Sequence, residues 1–263
     1  MEIQVKKAIK AGNSSAVILP RAWLNKEVRI ELVAKTSEII LKEVLDIAKN
    51  HIELSEIIGI YLVGSYARKE EDSSSDIDIL IISDDSDKEI IKYGIYNILI
   101  ISKELLKQKL NQDLLPIGQM IKEAKPLLNS NYINSIKVSV TKRNVKWYIK
   151  TTEDKLKIIR KSIDLAKKRN KKSISDYVVY TLVLRIRTLY IISTLIKNKS
   201  YLRKDFVKTI KDISGSGRAY ERYISVKSNN AEGPEISLDE AEKLYEYLSR
   251  QLEEVREMLK NRA

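Results

Sequence analysis

Two aspartates, Asp76 and Asp78, stand at the head of the apolar run Ile77-Asp78-Ile79-Leu80-Ile81-Ile82. A short run this rich in isoleucine reads as a strand. Side chains alternate across a strand, so both carboxylates fall on one face and Ile77 and Ile79 on the other. Two neighbouring carboxylates repel each other unless a cation lies between them or water solvates both. An oxygen-seeking divalent ion, Mg2+ or Mn2+, is the natural partner. A second apolar run, Ile57-Ile58-Gly59-Ile60-Tyr61-Leu62-Val63, precedes the pair and ends in Gly64-Ser65. Glycine lets a phosphate approach the backbone, and the Ser65 hydroxyl with nearby N–H groups can hold phosphate oxygens. A phosphate cradle opposite metal-binding carboxylates is the equipment for phosphoryl or nucleotidyl transfer, where catalysis is mostly positioning and charge neutralisation.

Gly64-Ser65, Ala67-Arg68, an acidic linker and Asp76-Ile77-Asp78 together resemble the signature of the polymerase-β-type nucleotidyltransferases, the small archaeal and bacterial ones in particular. The resemblance implies that Asp76 and Asp78 are catalytic and hold the metal, and that Gly64, Ser65 and Arg68 grip or frame the triphosphate of an NTP, ATP first among them. An acceptor hydroxyl would attack the α-phosphate and pyrophosphate would leave. The acceptor, whether a protein side chain, an RNA end or a small molecule, stays open. Two positions depart from the family pattern. Lys69 stands where glycine commonly follows the arginine. Asn97, in the strand-like run 93–102, stands where the family places a third carboxylate. Asparagine can ligate a metal through its carbonyl oxygen, but it brings no charge and cannot act as a general base. Transfer weakened or lost, with nucleotide binding retained, is what that replacement implies. Asp84, Asp85, Asp87 and Glu104 read as residues of a solvated loop and the helix after it.

The elements that position these residues define an α+β chain with three parts: 1–35, 36–140 and 141–263. In the first, strands are expected at 5–10, 16–19 and 27–33, with a turn over Ala11-Gly12-Asn13-Ser14-Ser15 and a short helical turn after Pro20. Gly12-Asn13-Ser14, Leu19-Pro20-Arg21 and Trp23-Leu24 resemble the AbrB/SpoVT-like swapped hairpin. A unit this small cannot bury enough apolar surface alone, so a homodimer is expected. The resemblance implies DNA contact through Lys6, Lys7, Lys10 and Arg21. In the second part, Thr36-Ser37 caps a helix over 38–50 that leads into the Gly64 strand. Short helices are expected at 88–92 and 104–110, and a further helix from Pro116 ends in a small residue and an aliphatic pair. His51 reads as a helix-end residue.

From Thr151 the periodicity becomes helical. The most apolar stretch, from Ser175 to about residue 196, should be the buried centre of a bundle. Shorter helices follow at 206–213 and 218–227, and Ser237-Leu238-Asp239-Glu240 is a capping box opening the last one. This part resembles the HEPN-like helical domains that accompany small nucleotidyltransferases. Arg185 and Arg187 lie on its central helix, but the single histidine of the chain is His51, so HEPN-type ribonuclease action is not expected. The basic run 167–172 suits either a nucleic-acid backbone or a solvated helix end.

The 263 residues include no cysteine, which removes disulfides and thiolate metal sites. The net charge of +12 favours polyanionic partners. A composition rich in Ile, Lys and Glu suggests a thermophilic archaeal source. No apolar run approaches the roughly 20 residues that span a bilayer, and no secretory leader pattern opens the chain. A cytoplasmic protein with no membrane partner is expected.

Overall fold

The computed structural model describes residues 4, 6, 8–30, 35–72, 75–229 and 235–261. The fold is α+β: a small hairpin, a mixed five-stranded sheet with helices, and a helical region. Strands β1 (Ile9–Ala11) and β2 (Ser14–Ala16) pair antiparallel around Gly12-Asn13, with Gly12 at φ +60°. A 3-10 turn, Arg21–Trp23, follows Pro20. The ladder is shorter than expected and lies closer to its turn. Residues 27–30 join no strand, and the rest of the expected third strand, like Lys7, lies outside the described residues. The reason is visible in Ile9, Ile18, Leu24 and Ile30, which are all exposed. A two-stranded hairpin that rests on no apolar face among the described residues retains the pairs nearest its turn.

The main sheet contains β3 (Ile57–Val63), β4 (Ile77–Ser83), β5 (Lys88–Tyr93), β6 (Tyr96–Ser102) and β7 (Lys125–Leu128). Their order is β5-β6-β4-β3-β7; β4 and β6 are parallel and the other pairs antiparallel. Strand β5 replaces the helix expected at 88–92. Gly94, at φ +57°, and Ile95 form a tight turn that sets Tyr93 opposite Tyr96 and lays the segment along β6. Pairing overrides local helix preference there. Strand β7 likewise replaces a helix tail. Its Pro126 lacks an N–H and sits on an edge strand, where the loss is tolerated.

Alternation gives each sheet face its own core. On one face α1 (Ser37–Ala48), capped by Thr36, packs Ile40, Val44 and Ile47 over Ile60, Leu62, Ile77, Ile79, Ile98 and Ile100. On the other, α3 (Lys103–Gln112) and α4 (Ile117–Glu123) bring Leu106, Ile117 and Ile121 onto Tyr61, Val63, Leu80 and Ile82. Between β3 and β4 runs α2 (Gly64–Arg68), and α5 (Ser130–Ser135) follows β7.

The helical region comprises α6 (Lys142–Lys168), α7 (Asp176–Ile196), α8 (Arg203–Ser214), α9 (Arg218–Lys227) and α10 (Leu238–Lys260). Helix α6 begins well before Thr151 because Thr141 and Asn144 form a capping box. The box at Ser237 and Glu240 opens α10 as expected. Helix α7 is the buried centre. Contrary to expectation, it is long and apolar enough to cross a membrane by length and composition, but more than half of its apolar window is buried inside the fold. The helices join the sheet layer directly. The Asn144 Nδ2 donates to the Leu110 carbonyl at 2.7 Å, and the Tyr148 hydroxyl to the Leu115 carbonyl at 2.7 Å.

Candidate active site

The site lies where β3 ends and β4 begins. Antiparallel register puts Val63 opposite Asp78, and the chain then turns through Gly64 at φ +70°. A Cβ on residue 64 would fall 2.2 Å from Asp78 Oδ2. Only glycine fits, for both the backbone angle and the space. Ile77 and Ile79 are buried, while Asp78 is half-buried and Asp76 exposed. The parallel strand β6 places Asn97 level with Asp78. The Asn97 amide donates to Asp76 Oδ2 and to Asp78 Oδ1, each at 3.2 Å. Burial pushes the Asp78 carboxyl above the usual range. The Asn97 hydrogen bond opposes this, the charge of Asp76 adds to it, and Arg68 and Lys227 oppose it. Lys227 lies in the last turn of α9, in the helical region. Ser65 is half-buried in α2, and its hydroxyl has no protein partner among the described residues.

Arg68 is placed differently. Its Nη1 donates to Glu123 Oε2 at 2.7 Å, its Nε to Glu70 Oε2 at 2.9 Å, and the Tyr201 ring centre lies 5.5 Å from the guanidinium. The second oxygen of Glu123 accepts from the Gly64 N–H at 2.8 Å. Glu70 accepts from the backbone amides of Arg203, at 3.0 Å, and Lys204, at 3.2 Å. It therefore caps α8, whose own N-cap residue Leu202 supplies no side-chain bond. Burial works against the charge on Glu70, but those amides and Arg68 hold its carboxyl below the usual range. Lys69 sits between these partners in the left-handed region, φ +58°. Arg68 thus frames the turn rather than projecting toward a ligand. Sequence reasoning missed Glu70 and Glu123. The signal was indirect: an arginine placed inside a fold requires carboxylates, but nothing local says which ones.

The other sequence candidates lie elsewhere. Asp84 pairs with Lys103, and Asp87 accepts from the Ser102 N–H at 2.6 Å, at the far end of β4 and β6. Asp85, Glu104 and His51 are exposed. Lys6, Lys10 and Arg21 are exposed in the N-terminal segment. Among the described residues no group of three or more His, Cys, Asp or Glu is suited to a metal. The side chains here that could hold a cation are two carboxylates and one amide. All three offer oxygen, the donor that Mg2+ and Mn2+ prefer. The cradle at Gly64, which a Cβ would fill, fits the same use.

A family model described as "Nucleotidyltransferase domain" matches residues 40–208. Among solved structures, a nucleotidyltransferase-like protein from Exiguobacterium sibiricum 255-15 is 14% identical over 82% of this chain and 75% of its own, with a TM-score of 0.38. The spectinomycin adenyltransferase AAD(9) from Enterococcus faecialis, solved with ATP and spectinomycin, is 13% identical over 81% of this chain and 98% of its own, with a TM-score of 0.41. No curated protein matches the chain.

Proposed function

Because the chain belongs to the nucleotidyltransferase domain family, we propose that it transfers a nucleoside monophosphate from an NTP, ATP by preference, to a hydroxyl on a protein, an RNA or a small molecule. The observation that carries this reading is the pair Asp76 and Asp78 beside the Gly64 turn, bridged by the Asn97 amide. Mg2+ or Mn2+ would be held by Asp76 and Asp78, with Asn97 turning its amide to offer Oδ1. When bound, the ion supplies charge neutralisation at the transferring phosphate. The chain's own part is positional. Gly64 keeps the backbone clear, Ser65 offers a hydroxyl to phosphate oxygens, and Arg68 fixes the turn through Glu70 and Glu123. No third carboxylate stands on β6, so the acceptor proton must leave to Asp76, Asp78 or solvent. Slow transfer is the expected consequence.

The test is label transfer from α-phosphate-labelled ATP and the other NTPs into protein and RNA fractions, with Mg2+ or Mn2+. The Asp76→Asn/Asp78→Asn double variant runs beside the wild type. Label found only with the wild type supports the reading and identifies the acceptor class. Equal labelling by both proteins removes the carboxylates from the mechanism.

A second reading has its own support: a dimeric DNA-binding or antitoxin-like regulator that senses nucleotide without transferring it. Asn97 in place of a carboxylate favours it. So do the exposed Ile9, Ile18, Leu24 and Ile30 of the N-terminal segment, which suit a swapped-hairpin dimer across residues 1–35. In this reading Lys6, Lys7, Lys10 and Arg21 contact DNA. Residues 36–140 form the nucleotidyltransferase core and 141–263 a HEPN-like bundle in a cytoplasmic protein. Duplex DNA binding whose salt dependence flattens when Lys6, Lys7 and Arg21 are changed together would support it. An unchanged slope would count against it.

A further inference from the structure

Apart from the carboxylate site, the helical region holds a cleft of about 410 Å³ between the start of α6 and the end of α10. Its floor is apolar, Ile149 and Leu259, and its rim carries five basic residues and one acid, Glu153. Lys142, Lys146 and Lys150 recur at four-residue spacing and share one face of α6, facing Arg256 and Lys260 of α10. Arg256 is bound by Glu153 and Glu253, and Lys260 pairs with Glu257. By contrast, Lys142, Lys146, Lys150 and the adjoining Arg143 are exposed and have no acidic partner among the described residues. A cluster of unpaired cations is repulsive on its own and is relieved by an anion.

The neighbouring ring identifies the kind of anion. Trp147 lies beside Arg143 and Lys150 on α6 and is 62% exposed, an unusual position for a tryptophan. The Arg185 guanidinium lies 5.9 Å from its ring centre, and Tyr148 meets it edge-on at 5.1 Å. Arg185 itself donates to Thr151 Oγ1 at 2.9 Å. One side of the indole is therefore backed and held, and the rest is left open. A held aromatic face beside a row of lysines provides both parts of single-strand recognition, stacking for a base and charge for the backbone. An acidic protein would use the charge but has no need of the ring.

We propose that the exposed start of α6, from the edge of the cleft round to Trp147, binds single-stranded nucleic acid, with Trp147 stacking on a base and Lys142, Arg143, Lys146 and Lys150 following the phosphates. The site is separate from the Asp76–Asp78 pair and does not depend on transfer chemistry. It is also distinct from the N-terminal hairpin and from the basic run 167–172.

Trp23 and Trp147 are the two tryptophans of the chain, so the Trp23→Phe protein reports on Trp147 alone. Titrating it with 12-mers of deoxythymidine and of uridine should quench its fluorescence, and the stronger ligand of the two distinguishes DNA from RNA. By anisotropy with labelled 12-mers, Lys146→Ala/Lys150→Ala should weaken binding about tenfold at low salt and reduce the salt slope by about 1.4. Trp147→Ala should weaken binding about tenfold with the slope unchanged. Asp78→Asn should bind as the wild type does, which keeps this result independent of the transfer reading. Four results would overturn the proposal: no binding of either oligomer at low salt, affinity unchanged in the exposed-lysine variant, loss of binding only when Lys6, Lys10 and Arg21 are replaced, or equal competition by polyglutamate of matched charge.

Discussion

Two carboxylate pairs flank the Gly64 turn, and they are treated oppositely. Glu70 and Glu123 close on Arg68, and between them accept from the Gly64, Arg203 and Lys204 amides. Among the described residues, Asp76 and Asp78 meet no cation directly and share a single amide, that of Asn97. The glutamates have their charge met by the protein, and folding alone accounts for them. The aspartates retain unmet charge, with Asp78 pushed above the usual carboxylate range first by burial. Folding alone would select against such a pair, so its presence points to a ligand that completes it.

Separating activity from stability gives the sharpest test. Under the proposed transfer, in which Asp78 holds the metal, Asp78→Asn should reduce transfer by on the order of 10²–10³-fold. The same change should leave the melting temperature unchanged or slightly raised, because it removes repulsion. Arg68→Ala should behave in reverse at the fold level. It leaves two carboxylates, 12% and 6% exposed at the side chain, without their cation. A loss of about 3 kcal/mol in chemical denaturation is expected. Similar stability losses in the two variants would break the contrast.

Asn97→Asp converts the Asp76–Asp78 pair into a triad. Without metal the added charge should lower stability by roughly 1–2 kcal/mol. With Mg2+ or Mn2+ the loss should reverse, because a ligand that binds the folded form stabilises it by mass action. Thermal melts with and without metal measure both terms. Transfer that rises in this variant would identify the missing carboxylate as the brake.

Glu70 offers a pH test of the structural pair. Its carboxyl is held below the usual range in the folded protein. Its contribution is therefore fully present above the unfolded value, about 4.3. It is lost as pH falls through the lower folded value. Glu70→Gln should reduce stability by about 1–2 kcal/mol at neutral pH, through the lost α8 cap and the lost ion pair. Wild type and variant should converge as acid protonates the carboxylate. A difference that stays constant to pH 2 would show that shape, not charge, carries the effect.

What could be read from the chain followed the range of the interactions. Alternation in Ile77-Asp78-Ile79 was enough to put both aspartates on one face, and the apolar density of residues 176–196 was enough to place α7 at the centre. Ser237 and Glu240 marked a helix start because a capping box is local. Strand β5 was not legible, since its Ile90-Ile91 core gives no periodicity and its identity depends on pairing across Gly94 with β6. The N-terminal strands were legible as a hairpin but not in extent, because Ile18 and Ile30 find no surface to cover among the described residues. Glu70 and Glu123 escaped for a related reason. Their partners lie on elements far apart in sequence, joined only when the bundle meets the sheet.

The smallest expected effect lies at the joint between the two pairs. Lys69 holds φ +58°, a conformation that disfavours any residue with a Cβ by about 1 kcal/mol. Two backbone bonds close the turn there: Lys69 N–H to Tyr66 O at 3.3 Å and Glu70 N–H to Ser65 O at 3.0 Å. They turn the chain so that Arg68 and Glu70 meet on one side. The strain is therefore part of what builds the structural pair, and the exposed side chain of Lys69 adds nothing to it. Lys69→Gly should stabilise the protein by about 0.5–1 kcal/mol, the relief of strain exceeding the added freedom of the unfolded chain. Lys69→Ala, which keeps the Cβ, should leave stability near the wild type. Neither change should alter NTP binding, measured by calorimetry. A fall in NTP affinity in both variants would make the Lys69 ammonium a ligand group, and residue 69 would then belong to the functional side of the turn.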